Sequence, residues 1–265
     1  MVPEFLYGQS ELLIAIALLI ILVLAAELGY RVGRRVRAAP TETGRAQGTT
    51  IQAALLALFA LLLGFTFAMA LSRFDLRKLM VVRESNAIGT AALRARCLPA
   101  PRRAAANELF CRYVDVRLNV ARSANLDTPA LKELAAEARR LQGLLWQEAA
   151  AAAEADPRSV PAGLFVQAMN DVIDIKGEGD IALANHVPES VLLLLFGFAF
   201  LAVGMVAYGN GIVGSRAHVP TAVLCVVIVL VILLIIDLDR PQRGVARVSQ
   251  TSLVDLVDIL DAPMR

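Results

Sequence analysis

Four long apolar runs constrain this chain more than any other feature of its sequence. They cover residues 12–28, 51–71, 191–208 and 221–236. About 20 apolar residues cross the hydrocarbon core of a bilayer as a helix, so each run predicts one membrane span. The composition agrees, because 57% of the residues are hydrophobic, against about 45–50% in a soluble domain. The sequence therefore predicts an all-α membrane protein with four transmembrane helices.

The polar segments between the runs divide the chain into four parts. Residues 1–72 hold the first two spans and a basic connecting loop, and residues 73–188 form a long central segment. Residues 189–237 hold the last two spans, and residues 238–265 form a polar tail with an amphipathic end. The bilayer is thus the first expected partner, and the central segment is expected to lie outside it.

Helical periodicity characterises the central segment. Apolar residues repeat there at spacings of three and four, at Leu131, Leu134, Ala138, Leu141 and Leu145. This spacing places them on one face of a helix. The segment therefore predicts a helical extramembrane domain, whose apolar faces need neighbouring helices or subunits to bury them.

Compact charged motifs follow the second and fourth apolar runs. Their charged residues are Arg73, Asp75, Arg77 and Lys78 after the second run, and Asp237, Asp239 and Arg240 after the fourth. Spans connected in series exit alternately, so both motifs face the same compartment. Charges at a membrane edge need partners, and an ion-pair network between the two motifs is the favoured interpretation. Coordination of a cation by Asp237 and Asp239 is the alternative, although two carboxylates are few for such a site.

The second run and its continuation carry the most specific pattern. If the helix extends past the membrane, Leu58, Leu61 and Phe65 share one face at helical spacing. Arg73, Arg77 and Glu84 then lie on a stripe further along, and Asn86 follows them. Apolar rings can gate a pore by dewetting, and rings of basic residues can select anions. Ordinary helix packing and contacts of the arginines with lipid phosphates explain the same spacing.

Other kinds of site have little support in the sequence. A net charge of +2 gives no argument for a nucleic-acid partner. The sequence has only two histidines, His186 and His218, and no Cys-x-x-Cys motif, which argues against a zinc site. No catalytic constellation, metal site or cofactor loop is recognisable, which argues against an enzyme. Glu27, at the end of the first run, faces either a cavity or the membrane interface.

Several motifs, in this order, resemble the bacterial bestrophin-like domain family. They are Leu62-Leu63-Gly64-Phe65, Arg73-Phe74-Asp75, Glu84-Ser85-Asn86-Ala87-Ile88-Gly89, Asp239-Arg240-Pro241 with Gly244, and Val248-Ser249-Gln250. The similarity covers most of the chain from residue 51 onward. That family is in turn remotely similar to bestrophins, which are pentameric anion channels.

The resemblance implies an apolar pore neck formed by Leu58, Leu61 and Phe65. It also implies a homo-oligomer, a pentamer in bestrophins, that conducts small inorganic anions. The segment departs from the bestrophin pattern, because Thr66 and Ala68 replace an arginine and an asparagine. Leu71 likewise replaces a tyrosine, so polar groups are lost from the segment. The acidic calcium clasp of animal bestrophins is not recognisable.

Membrane orientation is assigned differently by charge and by resemblance. The basic first loop, residues 31–37, taken alone slightly favours a cytoplasmic location for that loop. Bestrophins instead keep both termini and the central region in the cytoplasm, and we adopt that orientation in a bacterial inner membrane. Cys97 and Cys111 would then remain reduced.

Two functions remain in view from the sequence. The first is an oligomeric anion channel, with Arg73 and Arg77 raising the local anion concentration at the cytoplasmic mouth of the neck. The second is a non-conducting membrane scaffold or regulator, whose helical domain binds a partner. A continuous stripe facing a central axis is needed by the channel and not by the scaffold.

Overall fold

The fold consists of helices joined by short connections. The computed structural model describes residues 9–36, 42–122, 129–240, 249 and 251–261, and within these ranges no strand occurs. The helices are α1 (Glu11–Val36), α2 (Glu42–Ala95), α3 (Ala100–Arg122), α4 (Pro129–Ala155), α5 (Val160–Ala184), α6 (Glu189–Val213), α7 (His218–Asp239) and α8 (Thr251–Asp261). This confirms the predicted all-α class.

Four of these helices are long and apolar enough to cross a membrane among the residues described. They are α1, α2, α6 and α7, and they contain the four apolar runs. The helices extend beyond the runs, most of all α2, whose 54 residues correspond to roughly 80 Å. The second span therefore continues as one helix into the central segment, which is the condition for its polar and apolar residues to share faces.

The chain divides into two compact units. The membrane unit comprises Met1–Ser72 and His186–Arg240, and the helical unit comprises Arg73–Asn185 and Pro241–Arg265. Helix α2 contributes residues to both. Residues 238–240, which the sequence analysis assigned to the tail, belong to the membrane unit and are buried.

Close contact between α1 and α6 dominates the packing of the membrane unit. A Cβ atom added to Gly29 would lie 2.1 Å from the Gly204 carbonyl oxygen, and one on Gly33 would lie 2.2 Å from that of Tyr208. On α6, a Cβ atom at Gly211 would lie 2.4 Å from the Tyr30 carbonyl oxygen. Small residues allow backbones to approach in this way, and lipid provides no hydrophobic force to hold helices together otherwise. The Gly-x-x-x-Gly spacing of Gly29 and Gly33 is thus a packing motif.

Large apolar side chains fill the core of the helical unit. The buried cluster draws on α2, α3, α4, α5 and α8, and includes Ile88, Phe110, Tyr113, Leu141, Leu145, Phe165, Met169, Leu253 and Leu256. Phe110 and Phe165 meet edge to face, with their ring centroids 6.3 Å apart. On α4, Leu131, Ala138, Leu141 and Leu145 are buried, and Leu134 is half-buried. The stripe predicted from the sequence is therefore a core face.

The amphipathic end of the chain is part of this core. Leu253 and Leu256 of α8 are almost fully buried, and the Ser85 hydroxyl of α2 donates to the Ser252 carbonyl oxygen at 2.6 Å. Gly89 leaves room for Leu256, since a Cβ atom there would lie 3.2 Å from its Cδ1 atom. Helix α8 thus packs in the helical unit, where the sequence predicted only an amphipathic end to a polar tail.

Candidate functional site

The span part of α2 presents an apolar face that no described part of the chain covers. Leu58, Leu61 and Phe65 have exposed fractions of 50%, 54% and 67%. Phe59, Thr66 and Ala70, which lie on the other side of the helix, are buried. The Thr66 hydroxyl donates to the Leu62 carbonyl oxygen at 2.8 Å, so its polar group is satisfied within α2. The three predicted neck residues therefore share one exposed face.

The exposed face of α2 is continuous along the helix. Its other members in the membrane unit are Ala54, Ala68 and Ser72, and exposed residues continue in the helical unit at Asp75, Leu79, Asn86 and Thr90. Neighbouring members are three or four residues apart, except for one gap from Leu79 to Asn86 that Val82 fills. This spacing keeps them on one side of a helix. Beyond the span the face is mixed, since Asp75, Asn86 and Thr90 are polar whereas Leu79 and Val82 are apolar.

The charged residues just after the span have different environments. Asp75 and Lys78 are exposed, and Arg73 is half-buried. Arg77 is buried, and its guanidinium donates to the carbonyl oxygens of Ala182 at 3.1 Å and Asn185 at 2.7 Å. Backbone carbonyls near the end of a helix carry partial negative charge, which favours a cation there. Arg77 therefore holds the end of α5, while the other three face outward.

Glu84 forms a buried ion pair that sequence spacing did not reveal. Its two carboxylate oxygens accept hydrogen bonds from Nε and Nη2 of Arg117 on α3, at 2.6 and 2.7 Å. Burial alone would lower the pKa of the Arg117 guanidinium, but the hydrogen bonds and charge of Glu84 outweigh burial and raise it. A bidentate pair of this kind fixes both distance and orientation. Glu84 thus links α2 to α3, whereas the sequence grouped it with Arg73 and Arg77.

Asp239 at the end of α7 is fully buried and bound locally. The Val187 backbone N–H donates to its Oδ2 atom at 2.6 Å, and His186 Nδ1 lies 3.7 Å from the same oxygen. His186 Nδ1 also lies 3.1 Å from the Asp239 carbonyl oxygen. The carboxylate therefore connects the end of α7 to the residues just before α6. The contact of His186 with Asp239 was not indicated by its position in the sequence.

Arg240 contacts the residues at the start of α1. Its guanidinium donates to the Gln9 carbonyl oxygen at 2.8 Å and lies 3.4 Å from Glu11 Oε1. Asp237 is buried as well. Asp239 and Arg240 thus contact backbone groups and the nearby side chains of His186 and Glu11. The pairing of these carboxylates with Arg73, Arg77 or Lys78 stays a prediction.

Several residues of the family motifs lie outside the part of the chain that the structure describes. Pro241, Gly244, Val248 and Gln250 lie outside the described residues. Ser249 is described, and its hydroxyl accepts a hydrogen bond from the Thr251 backbone N–H at the start of α8. Among described residues no group of three histidine, cysteine or acidic side chains is arranged to hold a metal ion.

Comparison with known proteins places this arrangement in a family. The profile of the Bestrophin-like domain matches residues 17–253. No curated protein matches the chain. A point variant of a bacterial bestrophin homolog from Klebsiella pneumoniae is similar in structure, with a TM-score of 0.66 and 19% identity over 95% of this chain and 100% of that chain. The structure of that homolog solved by Zn-SAD phasing gives a TM-score of 0.63 and 19% identity over 91% and 96% of the two chains. The chain therefore belongs to the bestrophin-like domain family.

Proposed function

We propose that this chain assembles into an oligomeric channel of the bestrophin type that conducts small inorganic anions. The observation that carries the proposal is the exposed apolar face of α2 formed by Leu58, Leu61 and Phe65. A ring of identical chains around an axis lined by α2 would cover that face. Five copies follow from the resemblance to bestrophins.

The neck would act as a hydrophobic constriction. Leu58, Leu61 and Phe65 span about two turns of α2 and offer no polar atom to a passing ion. Such a constriction gates by excluding water, which an ion needs for its hydration shell. Phe65 is the most exposed of the three, so it would project furthest toward the axis and limit the diameter.

The charged residues that follow the span would set the electrostatic potential at one mouth of this neck. Arg73 and Lys78 carry exposed or half-exposed positive charge, and Asp75 between them offsets part of it. Arg77 would contribute its charge from a buried position, where it also keeps α5 in place. A ring of such groups raises the local anion concentration, and added salt weakens this electrostatic effect. Asn86, further along the exposed face, would line the polar path beyond the mouth.

Orientation follows the bestrophin arrangement in this proposal. Both termini and the helical unit would lie in the cytoplasm, with the four spans in a bacterial inner membrane. Cys97 and Cys111 form no disulfide in the part of the chain that the structure describes, which supports a reducing compartment for the helical unit. A labelling experiment with a membrane-impermeant thiol reagent on intact cells tests this, because the exposed Cys97 should react only after the cells are opened.

The test of conduction is halide flux through liposomes containing Phe65→Ala. Removing the ring lowers the barrier to wetting, so flux should rise several-fold over the wild type. Leu71→Ala is the matched control, because Leu71 is also exposed on α2 but lies on a different side of the helix. An unchanged flux in correctly assembled Phe65→Ala protein would reject the neck assignment.

The subunit count decides between the channel and the scaffold. Native mass spectrometry of the purified protein should give a closed ring of four or more identical chains. A monomer or dimer would remove the central axis, and the exposed face of α2 would then be an ordinary lipid-facing surface. That result would favour the scaffold, whose spans serve only as an anchor.

A further inference from the structure

A cavity in the membrane unit is lined by residues of α1, α6, α7 and the turn before α7. It has a volume of about 270 Å³ and opens between α1, α6 and the start of α7. Its walls are apolar at one end, with Val23, Ala26, Ala222 and Cys225. Its mouth is polar, and the groups there are Glu27, Tyr30, Asn210, Arg216, His218 and Thr221. None of these residues has a part in the proposed channel.

The mouth of the cavity carries a positioned cation. The Arg216 guanidinium lies over the Tyr30 ring, with its central carbon 4.6 Å from the ring centroid. That stacking leaves the N–H groups free at the edge of the plane, and no described residue accepts a hydrogen bond from them. An arginine stacked on an aromatic ring is pre-organised for bidentate binding of a phosphate. Helix α7 begins beside it at His218 with no side-chain cap.

A carboxylate faces the same cavity. Glu27 accepts a hydrogen bond from Arg31 Nε at 2.6 Å through its Oε1 atom, and its Oε2 atom has no donor among the described residues. An ionisable residue in an apolar span is costly without a partner, and Arg31 serves one of the two carboxylate oxygens, which leaves Oε2 for a second donor. The cavity therefore offers a phosphate-binding group and an ammonium-binding group within one small space.

The surroundings of the cavity identify the kind of occupant. Leu24, Val223 and Val226, which neighbour the lining residues along α1 and α7, are exposed apolar side chains. The cavity is large enough for a polar headgroup, whereas acyl chains would have to lie along this exposed apolar surface. The occupant must then be amphiphilic, with its charged part at the end of α1 where the basic residues begin.

We propose that this cavity binds the headgroup of a phosphatidylethanolamine lipid. The phosphate would accept hydrogen bonds from Arg216, with His218 beside it, and the primary ammonium would donate to Glu27. Opposite charges in the mouth match a zwitterionic headgroup. A phosphatidylglycerol headgroup has no cation for Glu27, and a phosphatidylcholine headgroup has no N–H to donate.

The test is lipid titration of delipidated protein by native mass spectrometry. The probes are phosphatidylethanolamine, phosphatidylcholine and phosphatidylglycerol with identical acyl chains. Wild-type protein should bind phosphatidylethanolamine most tightly. Arg216→Gln should weaken binding of all three lipids about tenfold, since a charge-assisted hydrogen bond contributes roughly that factor. Glu27→Gln should remove the preference for phosphatidylethanolamine.

Two further variants separate binding at this cavity from general effects. Ala222→Trp fills the cavity without changing any charge and should abolish the preference, because Ala222 is exposed and its replacement disturbs no core. Arg35→Gln changes an exposed arginine near the same end of α1 that does not line the cavity, and it should bind as the wild type does. Each variant is compared with the wild type for oligomeric state and melting temperature.

Three results would overturn the proposal. If Arg216→Gln bound phosphatidylethanolamine as tightly as the wild type does, Arg216 would not contact the phosphate. If the wild type bound phosphatidylglycerol as tightly as phosphatidylethanolamine, or more tightly, Glu27 would not bind the ammonium group. Displacement of the lipid by an equal concentration of soluble phosphoethanolamine would show that the apolar walls contribute nothing. Channel activity takes no part in these measurements, so their outcome is independent of the proposed function.

Discussion

The membrane unit and the helical unit are stabilised by contrasting kinds of contact. In the membrane unit, α1 and α6 approach so closely at Gly29, Gly33 and Gly211 that a Cβ atom would overlap backbone atoms. In the helical unit, large side chains such as Phe110 and Phe165 fill the core. Lipid tails are as apolar as leucine, so only close packing favours helix association in the membrane. Water favours burial of large apolar surfaces.

Charge is also used differently in the two units. In the membrane unit, Asp239 accepts a hydrogen bond from the Val187 backbone N–H, and Arg240 donates one to the Gln9 carbonyl oxygen. Glu84 and Arg117 of the helical unit satisfy each other side chain to side chain. A backbone partner survives substitution of its own side chain, whereas a side-chain partner does not. The two units should therefore respond differently to single substitutions.

The largest expected loss of stability comes from breaking the buried ion pair between Glu84 and Arg117. Glu84→Gln leaves the buried Arg117 charge without its carboxylate, which should lower the free energy of unfolding of the helical unit by about 3–5 kcal/mol. Trp146 is the only tryptophan and lies in α4, so denaturant unfolding followed by its fluorescence measures this unit.

A matched substitution and a double variant control this experiment. Glu137→Gln breaks more exposed pairs with Arg140 and Arg112 and should change stability by less than about 1 kcal/mol. Glu84→Leu combined with Arg117→Met removes both charges and should recover much of the loss. A small effect of Glu84→Gln would mean that water or another group replaces the carboxylate.

Overpacking the glycine contact between α1 and α6 should give the next largest loss of stability. Gly29→Ala places a methyl group against the Gly204 backbone, which has no flexible end to move aside. Overpacking of this kind costs about 1–3 kcal/mol, and here it should reach the upper end, because α1 and α6 must separate. Loss of monodisperse protein on gel filtration and a lower melting temperature by circular dichroism measure it.

Gly197→Ala is the control for this contact. Gly197 lies in α6 as well, but an added Cβ atom there meets nothing within 4 Å. Alanine is the better helix former, so this variant should melt at or slightly above the wild-type temperature. Equal melting temperatures for the two variants would contradict the close-packing interpretation.

The architecture was predictable because its signals are local. Twenty-residue apolar runs and helical spacing in the central segment each report the environment of one helix, and both gave elements that the structure contains. The ends of these helices also carry local signals, since Pro99 and Pro101 fall at the junction of α2 and α3 and Asp156 follows the last residue of α4. Such features need no knowledge of distant contacts.

Pairings between distant residues were beyond the sequence. Glu84 meets Arg117 across 33 positions, and Asp239 meets Val187 across 52. Many arginines are available to each carboxylate, and helical spacing grouped Glu84 with Arg73 and Arg77 instead. The Gly29-x-x-x-Gly33 spacing was a readable signal for helix contact, and the sequence analysis did not use it. The neck residues stay a prediction, since exposure in one chain is common to pore-facing and lipid-facing positions.

The smallest expected effect concerns a hydroxyl group in the helical core. Tyr113 is almost fully buried, and its hydroxyl has no hydrogen-bond partner among the described residues. An unsatisfied buried hydroxyl is unfavourable, so Tyr113→Phe should raise the free energy of unfolding by about 1 kcal/mol near neutral pH. Denaturant unfolding followed by Trp146 fluorescence measures the change. A loss of stability would instead reveal a partner, such as an internal water molecule.

Alkaline pH should enlarge this difference. Burial, with the nearby negative charge of Glu84, raises the pKa of Tyr113 in the folded protein. Above about pH 10 the tyrosine ionises in the unfolded chain but stays neutral in the folded one, which favours unfolding. The wild type should therefore lose up to about 1.4 kcal/mol per pH unit from this group, and the phenylalanine variant should not. Because all other groups titrate alike in both proteins, parallel pH profiles would mean that Tyr113 reaches solvent or that its ionised form is stabilised, and the helical core would then be less dry than its packing indicates.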